Sequence, residues 1–476
     1  MLKDSEDLAI LNKNEVLGGL PSEWPVSLLP EIQQAVRASP CKVVVLDDDP
    51  TGTQTVHGIP VLTEWSVESL RGELANDGPA FYLLTNSRSV GLAEAQALNR
   101  EIGRNLVAAA QQTGRDFAVV SRSDSTLRGH FPGEVDALVE AIEETFDAWL
   151  IIPFFLEGGR YTINDIHYVA EGESFVPAAQ TPFARDAAFG YRASNLRAWV
   201  EEKTGGQISA ERVQSITIED IRDGGPEEVA QKLLGLTKGS VCVVNAASYR
   251  DLEVFVRGLL LAEAQGKSYL YRTAASFVQV RAGLAPRPLL TAKELAVGTG
   301  GGLVVVGSYV PKSTTQLHEL LAQADIVGLE VDVSVLLKDA QWSAEIERIT
   351  KEANQALERN KDVVIYTSRQ LITAQDAESS LSIGQRVSAG LVAIVRGISV
   401  KPRYLLAKGG ITSSDVATKG LGVKQALVLG QILPGIPVWQ LGAESRHPGL
   451  PYIVFPGNVG GADALVEIVH KLRNGD

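Results

Sequence analysis

The sequence predicts an α/β fold: two α/β domains, each a mainly parallel sheet covered by helices, with the functional site in the interdomain cleft. Three observations lead there. The chain has 476 residues, and single cores stop growing at roughly 250–300. Short Val/Ile/Leu runs alternate with amphipathic helical patterns almost throughout, as in parallel strands buried on both faces. One Gly/Pro-rich stretch, LAPRPLLTAKELAVGTGGG, interrupts the alternation, as a domain boundary does.

In chain order, residues 1–40 are an N-terminal extension with one helix, LPEIQQAVRA. Residues 41–281 form the first domain. Its strands are CKVVVLDD, AFYLLTNS, FAVVSRS, AWLIIPFF, SVCVVNA and SYLYRT, with helices LAEAQALNREIGRNLVAAAQQ and PGEVDALVEAIEETF among them. Residues 282–302 are the linker and hinge. Residues 303–476 form the second domain, with strands LVVVGSY, DVVIYTS, YLLAKGG and YIVFPGN. Its helices include TTQLHELLAQA, SAEIERITKEANQALERN and IGQRVSAGLVAIVRGI. The short runs are β-branched and end in polar turn residues; the longer ones repeat apolar residues at i, i+3 and i+4.

Composition narrows the function classes. The chain is 45% hydrophobic and 21% charged, with net charge -13. Such a surface repels a nucleic-acid backbone, so no nucleic-acid partner is expected. Small anions can still be held locally by Arg, Lys and backbone N–H groups. Cys41 and Cys242 lie at or in apolar runs and read as buried thiols of a reducing compartment. The six histidines are scattered without zinc spacing, so no metal ligands are assigned. No apolar run reaches the ~18 residues of a membrane span, and MLKDSEDLAILNKNEV is too charged for a signal peptide. The expectation is a cytoplasmic protein.

Ligands of open α/β sheets gather at the carboxyl ends of the strands. In the first domain these ends are polar one after another. The first carries Asp47, Asp48 and Asp49, then Thr51 and Gly52; the second carries Thr85, Asn86, Ser87 and Arg88. The third carries Ser123, Asp124, Ser125 and Arg128, and the fourth leads to Glu157, Arg160, Thr162, Asp165 and His167. If the strands are parallel and adjacent, these loops share one rim. Arg88, Arg128 and Arg160 suit a forked pair with a carboxylate or phosphate. Hydroxyl and amide groups suit a polyhydroxylated molecule, and a sugar acid needs both. The aspartates can position magnesium or accept a proton from an attacking hydroxyl. Taken singly, Asp-Pro-Thr-Gly is equally a helix-capping turn and His167 a hydrogen-bonded structural residue. The repetition points to a ligand, because clustered charge near a sheet repels unless something compensates it.

The second domain's strand ends are rich in glycine and hydroxyls. They carry Gly307, Ser308 and Tyr309; Gly409, Gly410, Ile411, Thr412 and Ser413; and Gly457, Asn458, Val459, Gly460 and Gly461. Each precedes a helical pattern, a combination suited to phosphate. A Walker loop and a well-placed GxGxxG are both missing from the sequence, which disfavours a P-loop or Rossmann site.

The segments DDDPTGTQT, TNSR, SDSTLRG, FFLEGGRYTINDIHYV, TPFARDA, VVGSYVPKSTTQ, KGGITSSDV, ILPGIPVW and FPGNVGGAD occur in this order from about Lys42 to Leu472. In them the chain resembles the four-carbon acid sugar kinase family. The resemblance implies ATP-dependent phosphorylation of a hydroxyl on a short sugar acid, with ATP and Mg2+ as cofactors, and is compatible with a homodimer. By position it implies Asp47 and Asp48 as catalytic, with Thr51, Gly52, Ser87, Arg88, Asp124, Ser125 and Arg128 around the acid; Arg160 and His167 join them from the rim. It implies Ser308, Gly409, Gly410, Thr412, Ser413 and Gly460 at ATP, and Gly457 lies on the same loop as Gly460. Pro50, Val310 and Ile411 depart from the family pattern and point to a divergent subgroup with another small acid as acceptor. In the expected mechanism the acid's carboxylate docks on Arg88 and Arg128. Two alternatives stand beside it: a metal-dependent hydrolase using Asp47–Asp49, and a non-catalytic regulator that binds nucleotide or sugar acid.

Overall fold

The computed structural model describes residues 8–295, 297–369 and 377–474. Residues 1–7 of the charged N-terminal stretch lie outside the described residues. The chain divides into two compact units: Met1–Val56 with Glu64–Pro286, and His57–Thr63 with Arg287–Asp476.

The first unit is built on parallel strands in the order Gln214–Ile216, Ser240–Val244, Ala148–Ile152, Tyr269–Thr273, Phe117–Arg122, Lys42–Asp47, Ala80–Leu84. All of these pairings are parallel. The register brings the carboxyl ends level: Asp47 lies beside Leu84 and Arg122, and Thr273 lies between Arg122 and Ile152. The strand KVVVLD is buried along its whole length, as the unbroken apolar run required. Each fully buried Val or Leu of this kind contributes roughly 1.5–3 kcal/mol.

Helix Leu92–Thr113 follows its apolar period and stops at Gly114, whose φ is 65°. Helix Gly133–Ile142 ends sooner than its pattern suggests. Glu143 adopts a left-handed φ of 57° and closes the last turn onto Val139 O, which satisfies one of the orphan carbonyls. Helix Tyr249–Glu263 starts on a capping box between Ser248 and Asp251. Asp251 is fully buried and held by Arg222 at 2.8 Å.

FFLEGGRYTINDIHYV, read as a long strand-end loop, instead forms hairpin strands Arg160–Ile163 and Ile166–Glu171 in an antiparallel 4-stranded sheet with Ser174–Pro177 and Leu11–Asn12. The turn is Asn164–Asp165, with φ of 52° and 63°. Two left-handed residues at a two-residue turn match the twist of a hairpin, and Asn and Asp tolerate them.

The second unit has a parallel run Pro451–Phe455, Leu405–Lys408, Leu303–Val306, Asp362–Thr367, Ile326–Val331. Antiparallel strands Gln425–Leu433 and Ile436–Leu441, absent from the sequence reading, adjoin it. They turn at Pro434–Gly435, where Gly435 has φ 76°. Strand Ile59–Leu62 pairs antiparallel with Gln425–Val428, so a segment from the N-terminal half completes this unit. Its shortness and Pro60 hid it. Val304, Val306, Leu406, Ile453 and Phe455 form the middle of the core, under helices Pro311–Leu321 and Ala464–Asn474.

Candidate functional site

The level strand ends of the first unit gather alternating carboxylates and guanidiniums. Arg122 Nη1 reaches Asp47 Oδ1 at 2.9 Å and lies 3.7 Å from Asp48 Oδ1. Arg88 reaches Asp49 at 2.8 Å, Asp124 at 3.4 Å and Asp48 at 3.5 Å. Arg128 holds Asp124 at 2.7 Å and Asp186 at 3.5 Å. Arg272, at the end of the Tyr269–Thr273 strand, donates to Arg128 O at 3.0 Å. Ser123 donates to Asp48 Oδ2, and Ser87 donates to buried Glu134 at 2.8 Å.

The two leading aspartates differ in what surrounds them. Asp47 is walled in: a Cβ added at Gly52 would lie 2.2 Å from its carboxylate oxygens, so only glycine fits there. Burial pushes the Asp47 carboxyl up to about 7, against the pull of Arg122. Asp48 has one oxygen occupied by Ser123, but its Oδ1 is buried and accepts no hydrogen bond. A buried acceptor without a donor is costly, of order 1–3 kcal/mol, and such groups mark places where a ligand completes the pattern. Asp49 caps the Pro50–Thr53 turn by accepting from Thr51 N at 2.8 Å. Burial would raise the Asp49 and Asp124 carboxyls, but Arg88 for the first, and Arg128 with Arg88 for the second, hold both below the usual range.

Among the described residues Arg160, like Arg272, has no carboxylate partner, but it is partly exposed where Arg272 is buried. It stands over the Phe183 ring at 5.4 Å, and Arg128 lies over the same ring at 5.3 Å. The Arg160 Nε is buried without a hydrogen-bond partner. Among the described residues no carboxylate lies within 4.0 Å of Arg160. Burial lowers its pKa despite nearby Asp124.

His167 is fully buried. One ring nitrogen meets Thr162 Oγ1 at 3.0 Å and the other meets Ser125 O at 2.7 Å. It ties the hairpin to the Ser123–Arg128 loop. Burial pushes its imidazole down to about 4. Between the ordinary value near 6.5 and about 4, an unfolded chain takes up a proton that the folded chain refuses. Stability therefore falls as pH falls through that window, by up to about 3 kcal/mol. Urea midpoints at pH 7 and pH 4.5 are expected to differ less in His167→Gln than in the unsubstituted protein.

In the second unit three loops meet around Ser308. Its N donates to Lys408 O at 3.4 Å, and its O accepts from Arg369 at 2.7 Å. Ser313 Oγ donates to Gly457 O and shares a hydroxyl–hydroxyl bond with Ser308 Oγ, both at 3.0 Å. Gly409 N donates to Phe455 O at 2.8 Å, with φ at 112°, a conformation that only glycine adopts freely. Ser413 turns inward and donates to Ala407 O at 2.7 Å; Thr412 is also buried, while Ile411 is exposed. Gly410, Gly457 and Gly460 are partly exposed along the loops. Gln316 fastens the last loop through Val459 O at 3.0 Å and Gly461 O at 2.7 Å. Val310 leads into the Pro311–Leu321 helix, with Pro311 at its first turn. Among the described residues no three His, Cys, Asp or Glu side chains are placed to hold a metal ion.

Sequence reasoning left Arg122, Glu134, Phe183, Asp186, Arg272 and Lys408 without site roles. Arg122, Arg272 and Lys408 carry a signal in retrospect: each is a lone cation at the last or near-last position of an apolar strand.

A family model described as Sugar-binding N-terminal domain matches residues 43–281, and one described as Nucleotide-binding C-terminal domain matches residues 303–465. The chain belongs to the four-carbon acid sugar kinase family. It is 25% identical over 454 residues to the D-erythronate kinase of Heliobacterium modesticaldum, covering 90% of this chain and 97% of that protein. It is 28% identical over 402 residues to the 3-oxo-tetronate kinase of Methylobacterium radiotolerans, covering 82% and 89%. A solved structure from Salmonella typhimurium LT2 superposes with a TM-score of 0.64 at 16% identity, covering 90% of this chain and 98% of that one; this likeness concerns the fold. The acidic rim lies inside the family's sugar-binding match and the Ser308 loops inside its nucleotide-binding match.

Proposed function

We propose that this chain transfers the γ-phosphoryl group of ATP to a hydroxyl of a short sugar acid. The observation that carries the reading is the buried Asp48 Oδ1 without a donor. A substrate hydroxyl supplies one, and the same oxygen accepts its proton as the hydroxyl oxygen attacks phosphorus. Asp47, enclosed by Gly52 and Arg122, holds Arg122 in place beside it. Arg88 and Arg128 are already matched by aspartates, and Arg272, which also lacks a carboxylate partner among the described residues, is buried and turned to Arg128 O, so the acid's carboxylate falls to the partly exposed Arg160 above Phe183, in forked geometry. The Ser308 and glycine loops take the phosphates through backbone N–H groups. Phosphoryl transfer is mostly positioning and electrostatics, so this division of labour suffices. The described residues do not fit a metal held by protein side chains alone.

The kinase names of both relatives support the reading. It is tested by ADP release from ATP with magnesium across tetronic, pentonic and 3-oxo acids. The expected result is ADP release that depends on one or a few acids and is near zero without them. Turnover of an acid ester without nucleotide would favour the hydrolase. Acid and nucleotide binding with no ADP release on any acid would sink the proposal in favour of a regulator.

A further inference from the structure

Lys408 ends the Leu405–Lys408 strand, beside Val306 and Phe455 in the neighbouring strands. It is fully buried. Its Nζ donates to Pro456 O at 2.9 Å and stands 3.6 Å from the centre of the Phe455 ring. Among the described residues no carboxylate lies within 4.0 Å of it. An ammonium carries three donors, and a buried charge is tolerated when it is paired. The charge acting on it is of the same sign, Lys312 on the helix that follows Ser308. Asp415, on the helical turns after Gly409, is taken by Lys419 at 2.8 Å and by Ser388. Arg369 faces Ser308 O from the adjoining strand end. The position thus has a cation, a carbonyl at the root of the Gly457–Gly461 loop and, among the described residues, no carboxylate within 4.0 Å.

We propose that Lys408 is a proton-linked positive charge beneath the nucleotide loops, whose missing counter-ion is the bound nucleotide's phosphates. This rests on the nucleotide-binding half of the proposed function. Lys408 is a positioning residue: its ammonium fixes Pro456 O and acts on the phosphates through the field it adds below the loop backbone.

Without ligand, burial and then Lys312 push the Lys408 ammonium down to about 7. Phosphate charge favours the protonated form and raises that value. Below about pH 7 the group is charged with and without nucleotide, and contributes no pH dependence. Above it, binding takes up a proton, and affinity falls by up to about tenfold per pH unit until the bound-state value is passed. The γ- and β-phosphates are already ionised there and add no slope of their own.

The experiment is calorimetric titration of the full chain with ADP at pH 7, 8 and 9, each in two buffers of different ionisation enthalpy. The expected result is net proton uptake at pH 8 and 9 and about tenfold or greater weakening from pH 7 to 9. Lys408→Met is expected to weaken ADP at pH 7 and to abolish both the uptake and the slope. Its unliganded form is expected to melt higher at pH 6, because an uncompensated buried charge is gone. The uptake measurement needs no variant, so misfolding of Lys408→Met would leave the test standing. ADP binding with no uptake and a flat affinity from pH 7 to 9 overturns the inference alone, even if Lys408→Met binds poorly. No ADP binding at any pH overturns the nucleotide reading together with it.

Discussion

Asp48→Asn is expected to lower kcat by about 10²–10⁴-fold, the usual worth of a positioned general base, with ATP affinity nearly unchanged. The substitution keeps the side-chain volume and can keep the contact with Ser123. It removes the capacity to accept a proton at the oxygen that has no donor. It also removes one of three carboxylates around Arg88, so part of the loss could come from a displaced guanidinium. Thermal melting and the KM for the acid separate the two causes: a displaced Arg88 moves both, whereas a missing base moves kcat alone. Asp47→Asn provides the contrast. Asp47 is enclosed by Gly52 and bonded to Arg122 at 2.9 Å, and breaking a buried pair typically costs about 3–5 kcal/mol. Its variant is expected to lose stability first. A folded Asp47→Asn enzyme with kcat collapsed, beside an Asp48→Asn enzyme near normal, would transfer the role of base to Asp47.

The sequence made some parts of this molecule readable and concealed others for physical reasons. Buried parallel strands announce themselves as unbroken apolar runs, and KVVVLD and AFYLL were legible for that reason. The hairpin Arg160–Glu171 was not, because its strands are short and its alternation is diluted by Arg160, Thr162 and His167. Ile59–Leu62 was hidden because its partner, Gln425–Leu433, lies far along the chain. The same division holds at the site. Three consecutive aspartates after a strand needed no structure to be noticed. Arg272 did: it becomes a site residue only because parallel register sets it beside Ser121 and within 3.0 Å of Arg128 O. Phe183 and Asp186, quoted only as part of a motif, gain meaning from the turn that places them against Arg128. Sequence spacing also could not say which arginines were already matched. Arg88, Arg128 and Arg160 look alike in one dimension, and only their carboxylate neighbours distinguish them.

That distinction fixes the second large effect. Arg160→Met is expected to raise KM for the acid by about tenfold to a hundredfold, since a hydrogen-bonded charged contact is worth about 1.5–3 kcal/mol. The apolar stem of Met retains contact with Phe183 while the charge and fork are lost. KM for ATP is expected to hold, because Arg160 lies in the unit that carries the acidic rim. Arg160→Lys should recover only part of the loss, since an ammonium cannot present two parallel donors to a carboxylate. The fold should tolerate either change, as no carboxylate within ion-pair range is orphaned among the described residues. Arg128→Met is the opposing case. It strips Asp124 of its 2.7 Å partner and Asp186 of its 3.5 Å partner, and so should cost stability before it costs acid recognition. The comparison is decisive when all three variants are measured on the acceptor found in the ADP-release assay. If Arg128→Met folds and loses the acid while Arg160→Met binds it normally, the carboxylate sits on Arg128, and the Arg128–Asp124 pair must open on binding rather than persist as a support.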